Sequence, residues 1–220
     1  MRTLRNETRT RPSNYRQENT LKPFIRTTAA LAAFALASLT ANAGPFGFQK
    51  GMTKEQVTNL LGKDMVRETV PDAGGGSIVI FNTAPTPVKD FTSYSVDFAK
   101  DAGVLKIVAA TSPISAESAS TLYDRYKDLR ALLTAKYGAP SRTHEPASAD
   151  GAIKDMADNG RNVSSYWAAN DNASFNDEIK SVMLKAVPIS ENSAILVVSY
   201  ELTGFEDYQK QETGDRPNAF

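Results

Sequence analysis

The order of the predicted elements constrains the fold of this chain more than any other feature of its sequence. Residues 51–110 show a helix pattern followed by three strand patterns, and residues 115–204 show the same order again. Alternation of apolar and polar residues in a strand is typical of antiparallel strands with one buried face. We therefore predict an α+β fold of two tandem helix-plus-three-strand units, residues 44–114 and 115–204, forming antiparallel sheet with both helices packed on one face. One six-stranded sheet with two unrelated helices is the alternative.

Both ends of the first helix are specified by the sequence. Thr53 is a favourable N-cap, and Gln56 three residues later completes a capping box. Val57 and Leu60 fall on one face, and Gly62 supplies the left-handed residue that commonly ends a helix. The strand patterns of this unit lie at 78–81, 94–98 and 104–110.

The second unit follows the same order with a longer helix. We predict this helix from an N-cap at Ser115 to Tyr137, with Gly138 ending it. Residues 141–162 are polar and are predicted to form a loop. The strand patterns of this unit lie at 165–169, 179–187 and 194–201. Residues 205–220 form a mostly polar tail, in which a short helix is predicted at 205–211.

Residues 21–43 have the pattern of a secretory signal peptide. A basic start precedes an apolar run over 29–39, and a small-x-small pattern ends at Ala43, so we expect cleavage between Ala43 and Gly44. The apolar run is shorter than the roughly 20 residues of a membrane span. We therefore expect a periplasmic or secreted protein without a stable membrane anchor.

The charge balance and the lack of cysteine limit which partners the protein can bind and which chemistry it can perform. Residues 1–20 are polar, Arg-rich and predicted to be disordered, unless translation starts at Leu21. From Gly44 onward there are 18 basic and 23 acidic residues, a balance that provides no electrostatic footprint for nucleic acid. The chain has no cysteine, which excludes disulfides, thiolate metal sites and a cysteine nucleophile.

The segment from Gly51 to Gly62 resembles the opening helix of SmpA/OmlA-type domains, which are small envelope domains found in outer-membrane-assembly lipoproteins. The family pattern G-M-T-x-x-Q-V-x-x-x-L-G is complete here. This resemblance implies a helix followed by three strands, and the fold of β-lactamase-inhibitor-protein-like domains is similar to two such units joined. Assembly-machine members carry a lipid-bearing cysteine after the signal, and this chain has none.

Candidate catalytic residues are few. His144 is the single histidine, and Ser141 and Glu145 are its local candidates for a nucleophile and an orienting carboxylate. A loop beside a proline is poorly suited to hold such geometry, so we predict a solvated loop histidine. Glu145, Asp150 and Asp155 are the carboxylates that an exported hydrolase would use, but nothing in their spacing sets the separation or the pKa difference that such catalysis needs.

Two further segments partly match the patterns of a calcium loop and a phosphate loop. The oxygen-rich segment 171–178 lacks the central glycine and the terminal glutamate spacing of a calcium loop. Gly74, Gly75 and Gly76 precede a strand instead of a helix, so they predict a turn and not a phosphate loop. We therefore predict no catalytic residue, no metal ligand and no cofactor.

Four aromatic residues are candidates for a partner-binding surface. Tyr166 and Trp167 lie in a predicted strand among small residues, and Phe46 and Phe48 precede the first helix. Aromatic side chains beside small residues can form binding surfaces, although core packing is their commoner role. With the export signal and the lack of a catalytic set, they predict a non-catalytic binding or scaffolding protein of the bacterial cell envelope, with an envelope protein or peptide as partner. A carboxylate-based exported hydrolase is the alternative.

Overall fold

The computed structural model describes most of the chain that follows the predicted signal peptide. The described ranges are 44–72, 75–115, 119–145, 156, 163–169, 175–176 and 178–214. These ranges do not include the predicted signal peptide, which ends at Ala43, or the final residues 215–220.

Three α-helices and nine strands are present in the described ranges. The helices are α1 (Lys54–Leu61), α2 (Ala119–Tyr137) and α3 (Phe205–Gly214). The strands are β1 (Val66–Pro71), β2 (Ser77–Phe81), β3 (Phe91–Ala99), β4 (Gly103–Thr111), β5 (Ile114–Ser115), β6 (Arg142–His144), β7 (Ser164–Ala168), β8 (Ile179–Ser190) and β9 (Ser193–Leu202). All strand pairs are antiparallel, as the alternating patterns predict.

The strands form a single sheet in the order β1-β2-β3-β4-β9-β8-β7-β6, and β5 pairs with β9 beyond the end of β4. The sheet therefore has two halves that meet where β4 pairs with β9. Each half contains one helix and then four strands in chain order, and the last strand of each half lies at the centre. The mixed α and β class and the antiparallel sheet are confirmed.

The predicted layout of three strands per unit is not confirmed, because each half has an additional strand at the outer edge of the sheet. β1 is exposed at all but its first residue, and β6 has only three residues, all exposed, so both carry little of the apolar alternation that identified the other strands. β6 lies inside the region 141–162 that was predicted to be loop.

Both ends of α1 follow the prediction. The Thr53 hydroxyl accepts a hydrogen bond from the Gln56 N–H at 3.2 Å, and the Gln56 side-chain oxygen accepts one from the Thr53 N–H at 2.8 Å. Gly62 has φ 95°, a value that is costly for residues with a Cβ. The start of α2 was predicted wrongly, since Ser115 belongs to β5 and pairs with Ser193.

The core lies between one face of the sheet and the helices α1 and α2. Val57 of α1 is fully buried in it, and α2 contributes a buried row at helical spacing, consisting of Leu122, Tyr126, Leu129, Leu133 and Tyr137. Side chains from both halves of the sheet belong to this one cluster. The helices thus pack on the same face, as predicted, and we call it the core face.

Two buried polar contacts attach α2 to β7. The hydroxyls of Tyr126 and Ser165 lie 2.7 Å apart, and the Trp167 indole N–H donates to the Gly138 carbonyl at 2.8 Å. Burial raises the pKa of Tyr126, with the Ser165 hydrogen bond acting in the opposite direction. A buried hydroxyl or indole N–H without a partner would be costly, so these contacts define how the helix sits on the second half of the sheet.

Candidate binding face

The second face of the sheet presents alternate side chains of eight strands, and we call it the open face. Side chains alternate between faces along a strand, and the registers place outward positions of neighbouring strands side by side. One row crosses the whole sheet through Glu68, Ile80, Ser95, Val108, Ser199, Met183, Tyr166 and Arg142. Most of these side chains are partly exposed. The open face therefore mixes aliphatic, aromatic and small polar groups.

A polar row runs parallel to the first across the centre of the open face. Lys106 pairs with Glu201 across β4 and β9, with the ammonium 3.6 Å from the carboxylate oxygen. The Ser181 hydroxyl donates to the other Glu201 oxygen at 2.9 Å. The Lys106 ammonium also lies 4.6 Å from the centroid of the Phe205 ring. This row is internally paired, so its charges are partly neutralised before any ligand arrives.

Helix α3 packs at one end of the open face. Phe205 is buried against Leu105 and Ala99, with Tyr208 packed beside them. The Tyr208 hydroxyl donates to an Asp72 carboxylate oxygen at 2.8 Å, which links the C-terminal helix to the connection between β1 and β2. The predicted short helix in the tail is therefore present.

Of the four aromatic residues predicted to form a binding surface, only Tyr166 lies on the open face. Trp167 and Phe48 are fully buried, and this part of the prediction is wrong. Trp167 follows Tyr166 in β7, so strand alternation sends it to the core face. Phe46 packs edge-on against Phe91, Tyr94 and Tyr200, with ring centroids 5.3 to 5.7 Å apart.

Ser141, His144 and Glu145, the local catalytic candidates, contact different parts of the structure. His144 and Glu145 are consecutive, and His144 is opposite Ser164 on the open face. The Glu145 carboxylate instead contacts the Arg130 guanidinium and accepts a hydrogen bond from the Tyr123 hydroxyl at 2.8 Å, both from α2. The Ser141 hydroxyl accepts the Ala168 N–H at 3.3 Å. These three groups therefore do not converge on one point.

The other ligand motifs lie largely outside the described residues. Asp150 and Asp155 lie outside the described residues, as do most members of the oxygen-rich segment 171–178. Asn176, which is described, uses its side-chain oxygen to accept the Ile179 N–H at 3.2 Å. Among the described residues there is no group of three His, Cys, Asp or Glu side chains placed to hold a metal ion, and no helix long and apolar enough to cross a membrane.

A shallow cleft lies where the N-terminus of α1 meets the turn between β3 and β4. Its lining includes Thr53, Glu55, Gly76 and Lys100. The capping box already engages the N–H groups of Thr53 and Gln56 at this helix end. The Glu55 carboxylate accepts a hydrogen bond from its own backbone N–H and one from Thr53, and these bonds lower the pKa of Glu55. This end of the helix therefore already carries a carboxylate.

The cluster of Arg142, His144 and Lys185 on the open face was not predicted from the sequence. Met183 and Lys185 already alternate with the apolar residues of β8, which indicates that they share a face. Their neighbours Arg142 and His144 were assigned to a loop, because a three-residue strand has too few positions to show a period.

In the part of the chain that the structure describes, the molecule is an α+β protein whose sheet has α1 and α2 on one face and only α3 on the other. Comparison of the chain with protein-family models, with curated proteins and with solved structures gives no match. The resemblance of residues 51–62 to SmpA/OmlA-type domains stays a prediction.

Proposed function

We propose that this chain is an exported, non-catalytic binding or scaffolding protein of the bacterial cell envelope, whose open face docks a protein or peptide partner. One observation carries the proposal. The sheet is eight strands wide and its core face is covered by α1 and α2, whereas α3 is the one described helix that packs on the open face, at one end of it.

The dimensions of the open face fit a protein interface. Eight strands about 4.8 Å apart and three rows of outward side chains give a surface of roughly 700 Å², close to the ~800 Å² that each partner buries in a standard complex. The face also carries Tyr166, Met183 and Arg142 side by side, and tyrosine, methionine and arginine are enriched at protein interfaces.

The element order supports the finer proposal that the two halves are tandem copies of one unit. Each half has a helix followed by its strands, and the last strands, β4 and β9, pair antiparallel at the centre. Both α1 and α2 are followed by a glycine of positive φ, Gly62 at 95° and Gly138 at 87°. Such an arrangement is what joining two SmpA/OmlA-like units through their inner strands would produce, and it is similar to the β-lactamase-inhibitor-protein-like fold.

The proposed export is consistent with the contacts of the residues that directly follow the predicted cleavage position. Immediately after the predicted cleavage position, the Gly44 carbonyl accepts the Gly47 N–H at 3.0 Å, and Pro45 is buried. A signal peptidase cut before Gly44 would therefore leave these contacts intact. Mass spectrometry of the protein recovered from a periplasmic extract should give an N-terminus at Gly44, and an uncleaved N-terminus in the cytoplasm would contradict the proposal.

Site-specific photo-crosslinking in cells tests the docking surface. A crosslinking residue at Met183 or Val108, both on the open face, should capture one defined partner. The same residue at Leu132, which is 66% exposed on α2, is the matched control and should not capture it. Val197 lies on the open face of the central strand β9, opposite Ala110 and Lys185. The substitution Val197→Arg should abolish the crosslink, and Leu132→Arg should leave it. Equal capture from both faces, or none from the open face, would refute the proposal.

A further inference from the structure

Three basic side chains surround Tyr166 at one corner of the open face. Arg142 and His144 occupy alternate positions of the exposed strand β6, and Lys185 lies on β8. The register places Arg142 directly opposite Tyr166, while Ser164 separates His144 from Lys185. With strands about 4.8 Å apart and about 6.8 Å between alternate residues, all three positions lie within roughly 9 Å of Tyr166. We call these four residues the basic corner.

No carboxylate faces the basic corner from its own strands. The described outward positions of β6, β7 and β8 carry only basic, small polar, aliphatic or aromatic side chains. Arg142 and Lys185 form no ion pair with any described residue. The carboxylates of the open face lie on β1, β3 and β9, namely Glu68, Asp97 and Glu201. A cationic surface therefore remains in a chain that is acidic from Gly44 onward.

Resting on the proposed function, we infer that the basic corner receives an acidic segment of the protein partner. Its carboxylates meet Arg142 and Lys185, and an apolar side chain packs against Tyr166 and Met183. Arginine binds carboxylates through paired hydrogen bonds, and a half-buried tyrosine offers both an apolar ring and a hydroxyl. Between Arg142 and Met183, Tyr166 is placed to act as the anchor of such a contact.

A short segment fits this corner better than an extended polyanion. The chain from Gly44 has 18 basic and 23 acidic residues, so a nucleic acid or an anionic membrane that reached past the corner would meet net repulsion. The remaining central charges of the open face, Lys106 and Glu201, are already paired with each other. The attraction is therefore confined to the neighbourhood of Tyr166.

The probe for this inference is a fluorescent peptide rich in Asp and Glu with a single central Phe, followed by anisotropy against the full chain. Arg142→Glu combined with Lys185→Glu should weaken binding by about ten-fold or more. The matched control, Lys50→Glu with Lys63→Glu, changes the net charge equally at two exposed lysines off the corner and should stay within about two-fold. Tyr166→Ser should weaken the Phe peptide and remove its advantage over a peptide with Ser in place of Phe.

Several outcomes would overturn the inference. These are equal losses in the two charge-reversed proteins, no binding at peptide concentrations up to about 1 mM, or tighter binding of a single-stranded oligonucleotide or of anionic vesicles. Far-ultraviolet circular dichroism and fluorescence of the buried Trp167 report whether each variant is folded. A Met183 crosslink that persists in the Arg142→Glu, Lys185→Glu protein would refute only the basic corner. Loss of every open-face crosslink in the unaltered protein would instead refute the proposed function.

Discussion

Phe46 provides the sharpest test of how the two halves of the protein are held together. Its ring packs edge-on against Phe91 and Tyr94 of β3 and against Tyr200 of β9, which places it across the junction of the halves. Its backbone is left-handed, with φ 56° and ψ 19°, a conformation that is unfavourable for residues other than glycine. The side chain therefore stabilises the fold while the backbone opposes it.

These two effects predict an unusual order of stability for substitutions at this site. Loss of a buried Phe ring costs about 3–5 kcal/mol, and Phe46 is only partly buried, so Phe46→Ala should lower the free energy of unfolding by about 2–3 kcal/mol. Phe46→Gly loses the same contacts but relieves about 1–2 kcal/mol of left-handed strain, against an entropy cost of about 0.5–1 kcal/mol. The glycine variant should therefore be the more stable by about 0.5–1 kcal/mol.

Urea denaturation of the purified protein measures this difference. Trp167 is the single tryptophan and is fully buried, so its fluorescence reports global unfolding, with circular dichroism as a second probe. The control is Leu132 in the middle of α2, where glycine should be less stable than alanine by about 1 kcal/mol. The reasoning is refuted if Phe46→Ala equals or exceeds Phe46→Gly in stability, or if both stay within about 0.5 kcal/mol of the unaltered protein.

Three further predictions concern the N-cap of α1, the buried Tyr200 and the ion pair between Glu145 and Arg130 of α2. Thr53→Ala should lower the free energy of unfolding by about 1 kcal/mol in urea titrations, and Thr53→Ser should restore most of it. Burial, followed by the neighbouring Tyr137, raises the pKa of Tyr200. Above about pH 10 the unfolded chain thus loses a proton that native Tyr200 retains, and stability falls; Tyr200→Phe should reduce this fall by about 1.4 kcal/mol per pH unit, and an unchanged slope would contradict the assignment. Glu145→Gln should cost at most about 1 kcal/mol, because the ion pair with Arg130 is partly exposed; a loss above about 3 kcal/mol would contradict this.

Local chemistry allowed much of the fold to be predicted from the sequence. The capping box of α1 depends on residues three positions apart, and the central strands alternate clearly enough to be located within a few residues. The edge strands β1 and β6 were missed because both are exposed and therefore carry little apolar alternation. Ser115 misled the prediction of α2 because a serine favours N-caps and also fits a short strand.

The neighbours of Tyr166 on the open face could not be predicted from the sequence. Alternation placed Met183 and Lys185 on one face of β8, but nothing local showed that Arg142 and Tyr166 lie beside them. Those neighbours depend on pairings between residues that are distant in the chain: Arg142 pairs with Tyr166, 24 positions away, and Tyr166 pairs with Met183, 17 positions away. Trp167 and Phe48 were named as surface residues since large aromatics suit either a core or an interface.

The sequence by itself determined the antiparallel α+β class, the caps of α1, the central strands and the expectation of export, because each depends on neighbouring residues or on overall composition. The tertiary structure alone decided that β4 and β9 join the halves, that Phe46 packs across their junction, and that α3 is the one helix of the described ranges on the second face of the sheet. These features depend on contacts between distant segments, whose registers are set by which apolar side chains become buried together.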